Sequence, residues 1–225
     1  MWWSAPVAGA GHALLDDADR ARCATLRLPA DRARFATGRV LVRRALAAEL
    51  GVDPAQIVLH TCCERCGGPH GKPVLAAPAA AIEFSIAHAG ERVVVATSRC
   101  GTVGVDVERV RAAADLATPD AGVLGDAERA ALQALAPDER DAAFIRIWAR
   151  KEAVLKATGE GLLGSPAELR VSDAHEPPAV VAWAAGRHPR AVRMLDLDAG
   201  RGYRACVAVL TSRPLRVSVM CDAAA

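Results

Sequence analysis

The stretch from residue 103 to 108, Val-Gly-Val-Asp-Val-Glu, decides how this chain is organised. Its alternation predicts a β-strand whose three valines face a core, while Asp106 and Glu108 stand together on the other face. Two carboxylates at this spacing repel each other unless a positive group lies between them, and a hard divalent cation such as Mg²⁺ is the usual partner. The alternative is a half-buried strand with a solvated acidic face.

A second informative stretch, residues 148–162, reads Trp-Ala-Arg-Lys-Glu-Ala-Val-Leu-Lys-Ala-Thr-Gly-Glu-Gly-Leu. Trp148, Glu152 and Lys156 are spaced four apart, so they form one stripe along a predicted helix. Glu152 is therefore a candidate third metal ligand or general base, and Lys156 is a candidate for neutralising a phosphate or a leaving oxygen. The alternative is an ordinary surface pair of glutamate and lysine at i,i+4.

Lysine is rare in this chain. Of its 28 basic side chains, only Lys72, Lys151 and Lys156 are lysine and the rest are arginine. A lysine that persists against such a bias suits a role that needs a compact ammonium rather than a wide guanidinium fork. Lys151 and Lys156 lie in the helical stretch, and Lys72 lies in the turn-forming sequence His-Gly-Lys-Pro at 70–73.

The remaining pattern predicts an α+β protein in two halves that divide near residue 100, namely 1–100 and 101–225. The strand with the two acids begins the second half. Predicted helices cover 31–50, 126–135 and 138–158, and predicted strands cover 56–60, 83–87, 92–97, 103–108, 168–171, 180–183, 203–210 and 215–219.

The composition excludes several classes of protein. The chain has 225 residues, of which 52% are hydrophobic and 24% are charged, as is typical of a globular protein. Its net charge of +2 gives no general basis for nucleic-acid binding. No stretch approaches the roughly 20 apolar residues of a transmembrane helix, so no membrane association is expected. An odd count of cysteines, seven, and an N-terminus without a signal-peptide pattern predict a cytoplasmic protein with reduced thiols.

The order of these segments resembles one family. An arginine-rich helix precedes 70–73, then Ser-Ile-Ala-His-Ala-Gly at 85–90, then the acidic strand, then the 148–162 stretch. This order, over about residues 32–162, resembles the 4′-phosphopantetheinyl transferases of the surfactin-synthetase-activating (Sfp-like) type. The resemblance implies a pseudo-dimer of two similar α/β halves in one monomeric chain, with coenzyme A and a metal ion in the cleft between them.

The resemblance also implies an activity. The 4′-phosphopantetheine group of coenzyme A would pass to a serine of an acyl or peptidyl carrier protein of fatty acid, polyketide or nonribosomal peptide synthesis, and adenosine 3′,5′-bisphosphate would leave. Mg²⁺ is the implied cofactor, with Mn²⁺ as the alternative. The first half would bind coenzyme A, and the second half would bind the metal ion and carry out catalysis.

Individual positions match the motifs of this family. Asp106, Glu108 and Glu152 match its metal-binding acids, and Glu152 and Lys156 match its catalytic positions. Lys151 is given a supporting role, because its direction on the helix points away from the stripe of Glu152 and Lys156. The residues implied to contact coenzyme A are Arg39, Arg43, Lys72, His88, Lys151 and Lys156.

Residues 60–70 suggest a function of another class, a metal-binding interaction module. Cys63 and Cys66 have the C-x₂-C spacing of zinc sites, and His60 and His70 flank them. Only one such pair is present and the histidines lie unusually close to it. The sequence therefore favours free thiols in a surface loop over a bound Zn²⁺.

Overall fold

A computed structural model describes residues 1–9, 11–61, 67–68, 71–111, 122–159, 165–183 and 191–221. Its helices are α1 (Asp17–Thr25), α2 (Pro29–Leu50), α3 (Asp126–Ala134) and α4 (Pro137–Thr158). Its strands are β1 (Trp2–Ser4), β2 (Val58–Thr61), β3 (Pro73–Ala77), β4 (Glu83–Ala89), β5 (Arg92–Ser98), β6 (Val103–Arg109), β7 (Leu169–Val171), β8 (Val180–Trp183), β9 (Arg193–Leu197), β10 (Tyr203–Val209) and β11 (Met220–Cys221).

The chain divides into two compact units. The first comprises Met1–Arg99 together with the segment from Arg216 onward, and the second is Cys100–Leu215. The sequence predicts that everything after residue 100 belongs to the second half. The C-terminal segment instead joins the first unit, because β11 pairs in parallel with β1.

The first unit is built on α2 and a four-stranded sheet of order β11-β1-β5-β4. α2 begins with Pro29 at its first turn and ends at Gly51, which adopts φ 68°. Apolar side chains of α2 such as Leu41 and Leu46 are fully buried against Phe84 and Val93 of the sheet. Leu41 and Leu46 belong to a stripe of apolar residues at roughly helical spacing, from which the sequence predicts a helix at 31–50, and this packing explains the stripe.

The second unit is built on α4 and a three-stranded antiparallel sheet of order β6-β10-β9. The sequence predicts that Asp138 caps this helix. The structure instead places Ala136 at the N-cap and Pro137 in the first turn, and Gly159 ends the helix with φ 79°. α4 is buried on most of its surface, because it packs against both β6 and β10.

The α+β prediction is confirmed, and each unit places one helix of 22 residues against antiparallel strands. The predicted strand at 215–219 is wrong, because the C-terminal strand, β11, covers only Met220–Cys221. The pattern does not predict five elements, namely β1, α1, β3, β9 and β11. Within the described residues, none of the helices combines the length and apolar character needed to span a bilayer.

Candidate active site

β6 lies directly against α4, and Gly104 allows this close approach. A Cβ atom at Gly104 would lie 2.0 Å from the carbonyl oxygen of Ala153 and 2.4 Å from the backbone nitrogen of Ala157. No side chain fits at such distances, so only glycine lets the two backbones meet. Asp106 and Glu108 share this face of the strand and therefore point toward the helix.

Lys156 of α4 forms an ion pair with Asp106. Its Nζ donates to Oδ1 of Asp106 at 2.6 Å and to the carbonyl oxygen of Val105 at 3.3 Å. Burial raises the pKa of Asp106, although the neighbouring ammonium opposes this. Burial lowers the pKa of Lys156, but Asp106 and two nearby glutamates outweigh it, so that the pKa is raised. The ammonium is therefore held in its charged form.

Glu152 lies one helical turn before Lys156 on the same face of α4. Burial raises the pKa of its carboxyl group; Lys156 opposes this, and the charge of Asp106 adds to it. Oε1 of Glu152 and Oδ2 of Asp106 are buried and have no hydrogen-bond partner among the described residues. An unmet buried acceptor is costly, so these two oxygens indicate a place for a positive or proton-donating group.

Glu108 lies near the end of β6. Trp148 of α4 donates its indole N–H to Oε1 of Glu108 at 3.2 Å. Burial and the charge of Asp106 raise the pKa of Glu108 to about 7, whereas the indole bond and Lys156 lower it. We call Asp106, Glu108, Glu152 and Lys156 the acidic cluster.

The acidic cluster offers the carboxylate oxygens that a Mg²⁺ site needs, but these side chains are not grouped as a set of metal ligands. Over the described part of the chain, no group of three or more His, Cys, Asp or Glu side chains is arranged to hold a metal ion. The ammonium of Lys156 supplies the positive charge beside Asp106 instead. The two unpartnered carboxylate oxygens are hard donors of the kind that Mg²⁺ prefers, so the residues fit this ion.

The stability of the metal-free protein is expected to fall as pH rises from about 4.5 to about 7. In this window the folded state retains a proton on Glu108 that the unfolded state has released, and the raised pKa values of Asp106 and Glu152 act in the same direction. Urea unfolding in chelator, at about pH 5 and about pH 7.5, measures this effect. Glu108→Gln should flatten the dependence. A slope unchanged by that substitution would contradict the assignment.

Lys151 lies on a different face of α4 and has a structural role. It is fully buried, and its Nζ donates to Oε2 of Glu128 at 2.5 Å and to the carbonyl oxygens of Val123 at 2.8 Å and Pro166 at 2.9 Å. These bonds use all three donors of the ammonium, so none remains for a phosphate. The predicted supporting contact of Lys151 with coenzyme A is therefore wrong, although its predicted direction, away from Glu152 and Lys156, is correct.

Lys151→Met is expected to lower the free energy of unfolding by about 3–5 kcal/mol, because Glu128 would be left buried without its counter-ion. Urea denaturation measures the loss. Lys72→Met is the matched control: Lys72 retains 24% of its side-chain exposure and lies 3.8 Å from Glu83. The control should lose less than about 1 kcal/mol. Equal losses in the two variants would refute the structural role of Lys151.

Each of the two units is similar to known proteins. A family model described as the 4′-phosphopantetheinyl transferase superfamily matches residues 102–208, and one described as 4′-phosphopantetheinyl transferase, N-terminal, matches residues 7–100. The chain belongs to the 4′-phosphopantetheinyl transferase superfamily. The two matches meet where the chain divides into its two units.

Several curated members of the superfamily are similar to this chain. It is 34% identical over 122 residues to 4′-phosphopantetheinyl transferase AcpT of Salmonella typhimurium, covering 54% of this chain and 56% of that protein. It is 30% identical over 152 residues to HetI of Nostoc sp., covering 67% and 62%. It is 29% identical over 175 residues to the 4′-phosphopantetheinyl transferase of Bacillus subtilis, covering 76% and 72%. The chain thus spans less than two thirds of the length of the first two relatives.

In this superfamily member, the two arginines predicted to contact coenzyme A differ in their surroundings. Arg43 is buried, and its guanidinium pairs with Asp16 and Asp19, at 2.7 Å each. These acids compensate its charge within the first unit, and the contact of Arg43 with coenzyme A stays a prediction. Arg39 pairs with Asp19 at 3.0 Å and donates to Thr61 at 3.3 Å. Its Nη1 is buried and has no partner among the described residues, which leaves one donor for a ligand anion.

The other two predicted contacts of the first unit lie on or beside strands. Lys72 precedes β3 and is partly exposed; burial lowers its pKa, and Glu83 opposes this. The sequence predicts His88 in a turn directly after a strand. The structure places it inside β4, exposed and opposite Val93 of β5.

Two predictions lie outside the described residues. The zinc hypothesis rests on Cys63 and Cys66, with Cys62 beside them and His70 after them. The end of the 148–162 motif, Glu160-Gly161-Leu162, is also outside.

Sequence reasoning missed three residues that shape the site. The sequence pattern gives Gly104 no role, although a glycine within a strand is a known signal of close backbone approach. The helical spacing places Trp148 in the stripe with Glu152 and Lys156 but gives it no role. Glu128 gave no signal, because it meets Lys151 from 23 residues away.

Proposed function

We propose that this chain transfers the 4′-phosphopantetheine group of coenzyme A to a serine of an acyl or peptidyl carrier protein. The observation that carries the proposal is the acidic cluster with its two buried, unpartnered carboxylate oxygens. It lies in a chain that two models of the superfamily match over residues 7–100 and 102–208. A cluster that combines several carboxylates with one lysine suits a reaction at a diphosphate.

Mg²⁺ is the proposed cofactor, with Mn²⁺ as the alternative, and Asp106, Glu108 and Glu152 are the proposed ligands. The unpartnered oxygens of Asp106 and Glu152 support this assignment. When bound, the ion would neutralise charge on the diphosphate of coenzyme A.

The transfer breaks one bond to phosphorus and forms another, and two residues of α4, Glu152 and Lys156, have roles in these changes. A bond forms between the carrier serine Oγ and the phosphorus that bears the pantetheine arm. The bond from that phosphorus to the bridging oxygen breaks, and adenosine 3′,5′-bisphosphate leaves with the electron pair. Lys156 balances the charge of this leaving group. Glu152 accepts the serine proton, acts as the third acidic ligand, or does both, since its raised pKa and unpartnered oxygen suit either role.

Coenzyme A recognition is assigned to the first unit. Arg39 supports this through its unpartnered Nη1. Lys72 contributes a point charge, and His88 contributes an exposed imidazole on β4. We propose that the second unit, which carries the acidic cluster, binds the metal ion and carries out catalysis.

We propose that the chain is a monomeric, cytoplasmic enzyme, and that the partner it acts on is a carrier protein of fatty acid, polyketide or nonribosomal peptide synthesis. Carrier proteins are acidic, and the arginines of α1 and α2 would favour their approach.

Mass spectrometry of an apo carrier protein, incubated with this chain, coenzyme A and Mg²⁺, tests the proposal. The carrier should gain about 340 Da, the mass of the transferred group. The gain should vanish with chelator, and a carrier whose acceptor serine is replaced by alanine should gain nothing. No mass gain on a panel drawn from all three carrier classes would refute the proposed activity.

A further inference from the structure

Trp148 is a residue of the acidic site for which the proposed transfer provides no role. It lies on α4 one turn before Glu152, and its indole N–H reaches across to Oε1 of Glu108 at 3.2 Å. This bond joins the helix to the end of β6. It is the one hydrogen bond that the described structure records between Glu108 and a side chain of α4.

Glu108 needs such a partner more than Asp106 does. Asp106 is 4% exposed and is held by Lys156 at 2.6 Å, whereas Glu108 is only partly buried and has a longer side chain with more rotamers. The charge of Asp106 also repels it. Without a donor from α4, the Glu108 carboxylate would swing away from its neighbour and toward solvent.

The chemistry of the indole suits this task. It offers a single N–H and no acceptor, so it can orient a carboxylate but has no lone pair with which to coordinate a metal ion. Its bond engages Oε1 and leaves Oε2 out of the interaction. Hydrogen-bonded partners of this kind orient metal-binding carboxylates, and their loss typically weakens metal binding by 10- to 100-fold.

We propose that Trp148 is a positioning residue that holds the Glu108 carboxylate beside Asp106 and thereby sets the affinity of the acidic cluster for a divalent cation. The proposal rests on the metal assignment of the proposed function. It concerns cation binding, which can be measured without coenzyme A or a carrier.

Trp148→Phe is the direct test, because it keeps an aromatic ring and removes the N–H. Mn²⁺ binding to the protein alone, measured by electron paramagnetic resonance, should weaken by about 10- to 100-fold. In transfer assays, the KM for Mg²⁺ should rise by a similar factor while the rate at saturating Mg²⁺ stays near that of the wild type. Trp183→Phe, on β8 of the same unit, is the matched control and should bind Mn²⁺ within about twofold of the wild type.

The outcomes separate this inference from the proposed activity. Equal Mn²⁺ affinity in Trp148→Phe and wild type, or no Mn²⁺ binding by the wild type, overturns the positioning role. Weakened binding in a chain that modifies no carrier supports the positioning role and refutes the activity.

A second measurement needs no variant. The chain has four tryptophans, and substoichiometric Mn²⁺ should broaden one indole N–H resonance of the ¹⁵N-labelled wild type before the other three. Uniform or absent broadening overturns the proposal even if Trp148→Phe fails to fold.

Discussion

Asp106→Asn is expected to reduce phosphopantetheine transfer by at least about a thousandfold, equivalent to about 4 kcal/mol of transition-state stabilisation. The substitution removes the charge at the centre of the acidic cluster, which both the proposed cation and Lys156 require. The fold should be retained, because asparagine keeps an oxygen acceptor and Lys156, with 29% of its side chain exposed, can be solvated. Mass spectrometry of the carrier measures the activity, and circular dichroism checks the fold.

The matched control is Asp138→Asn, which removes the same charge from an exposed position in the first turn of α4. This variant should transfer at nearly the wild-type rate. Turnover by Asp106→Asn within about tenfold of wild type would contradict the central role of this carboxylate.

Gly104→Ala is expected to lower the free energy of unfolding by about 3 kcal/mol and to reduce transfer by at least about a hundredfold. The new methyl group would meet the backbone of α4, 2.0 Å from the carbonyl oxygen of Ala153, and backbone cannot move aside as a side chain can. α4 would have to shift away from β6 and carry Glu152 and Lys156 with it. Urea denaturation and the carrier assay measure the two effects.

Gly38→Ala in α2 is the control for this prediction. A Cβ there would lie 3.1 Å from Cγ2 of Ile86, a side-chain atom that can adjust. Alanine also favours a helix over glycine by about 1 kcal/mol, so the net change should be small. Comparable losses in the two variants would refute the close approach of β6 and α4 as the cause.

Much of the fold could be predicted because its main elements carry local signals. The apolar stripe of α2 and the glycines at residues 51 and 159 mark helices that the structure confirms. The alternating valines of β6 mark a strand whose acidic face was also predicted. β9 and β1 carry weaker patterns, and their place in a sheet depends on partners far along the chain.

The residue types of the site could be predicted from the sequence. Which of them have a structural role and which face the site could not. Lys151 and Lys156 look alike in the sequence, yet one is fully buried with Glu128 and the other faces Asp106. Arg39 and Arg43 also look alike, yet Arg43 pairs with two acids of the α1 region, whereas Arg39 pairs with one of them and its Nη1 has no partner among the described residues. Each difference is set by an acid that approaches from another element.

By itself, the sequence determined which side chains share a face, because the periods of a strand and a helix are local properties of the backbone. It therefore placed Asp106 with Glu108, and Glu152 with Lys156. Only the tertiary structure decided that these two faces meet, through the contact at Gly104, and which cations were already neutralised. The physical reason is that burial and charge pairing depend on residues distant in the chain, whose approach no local pattern encodes.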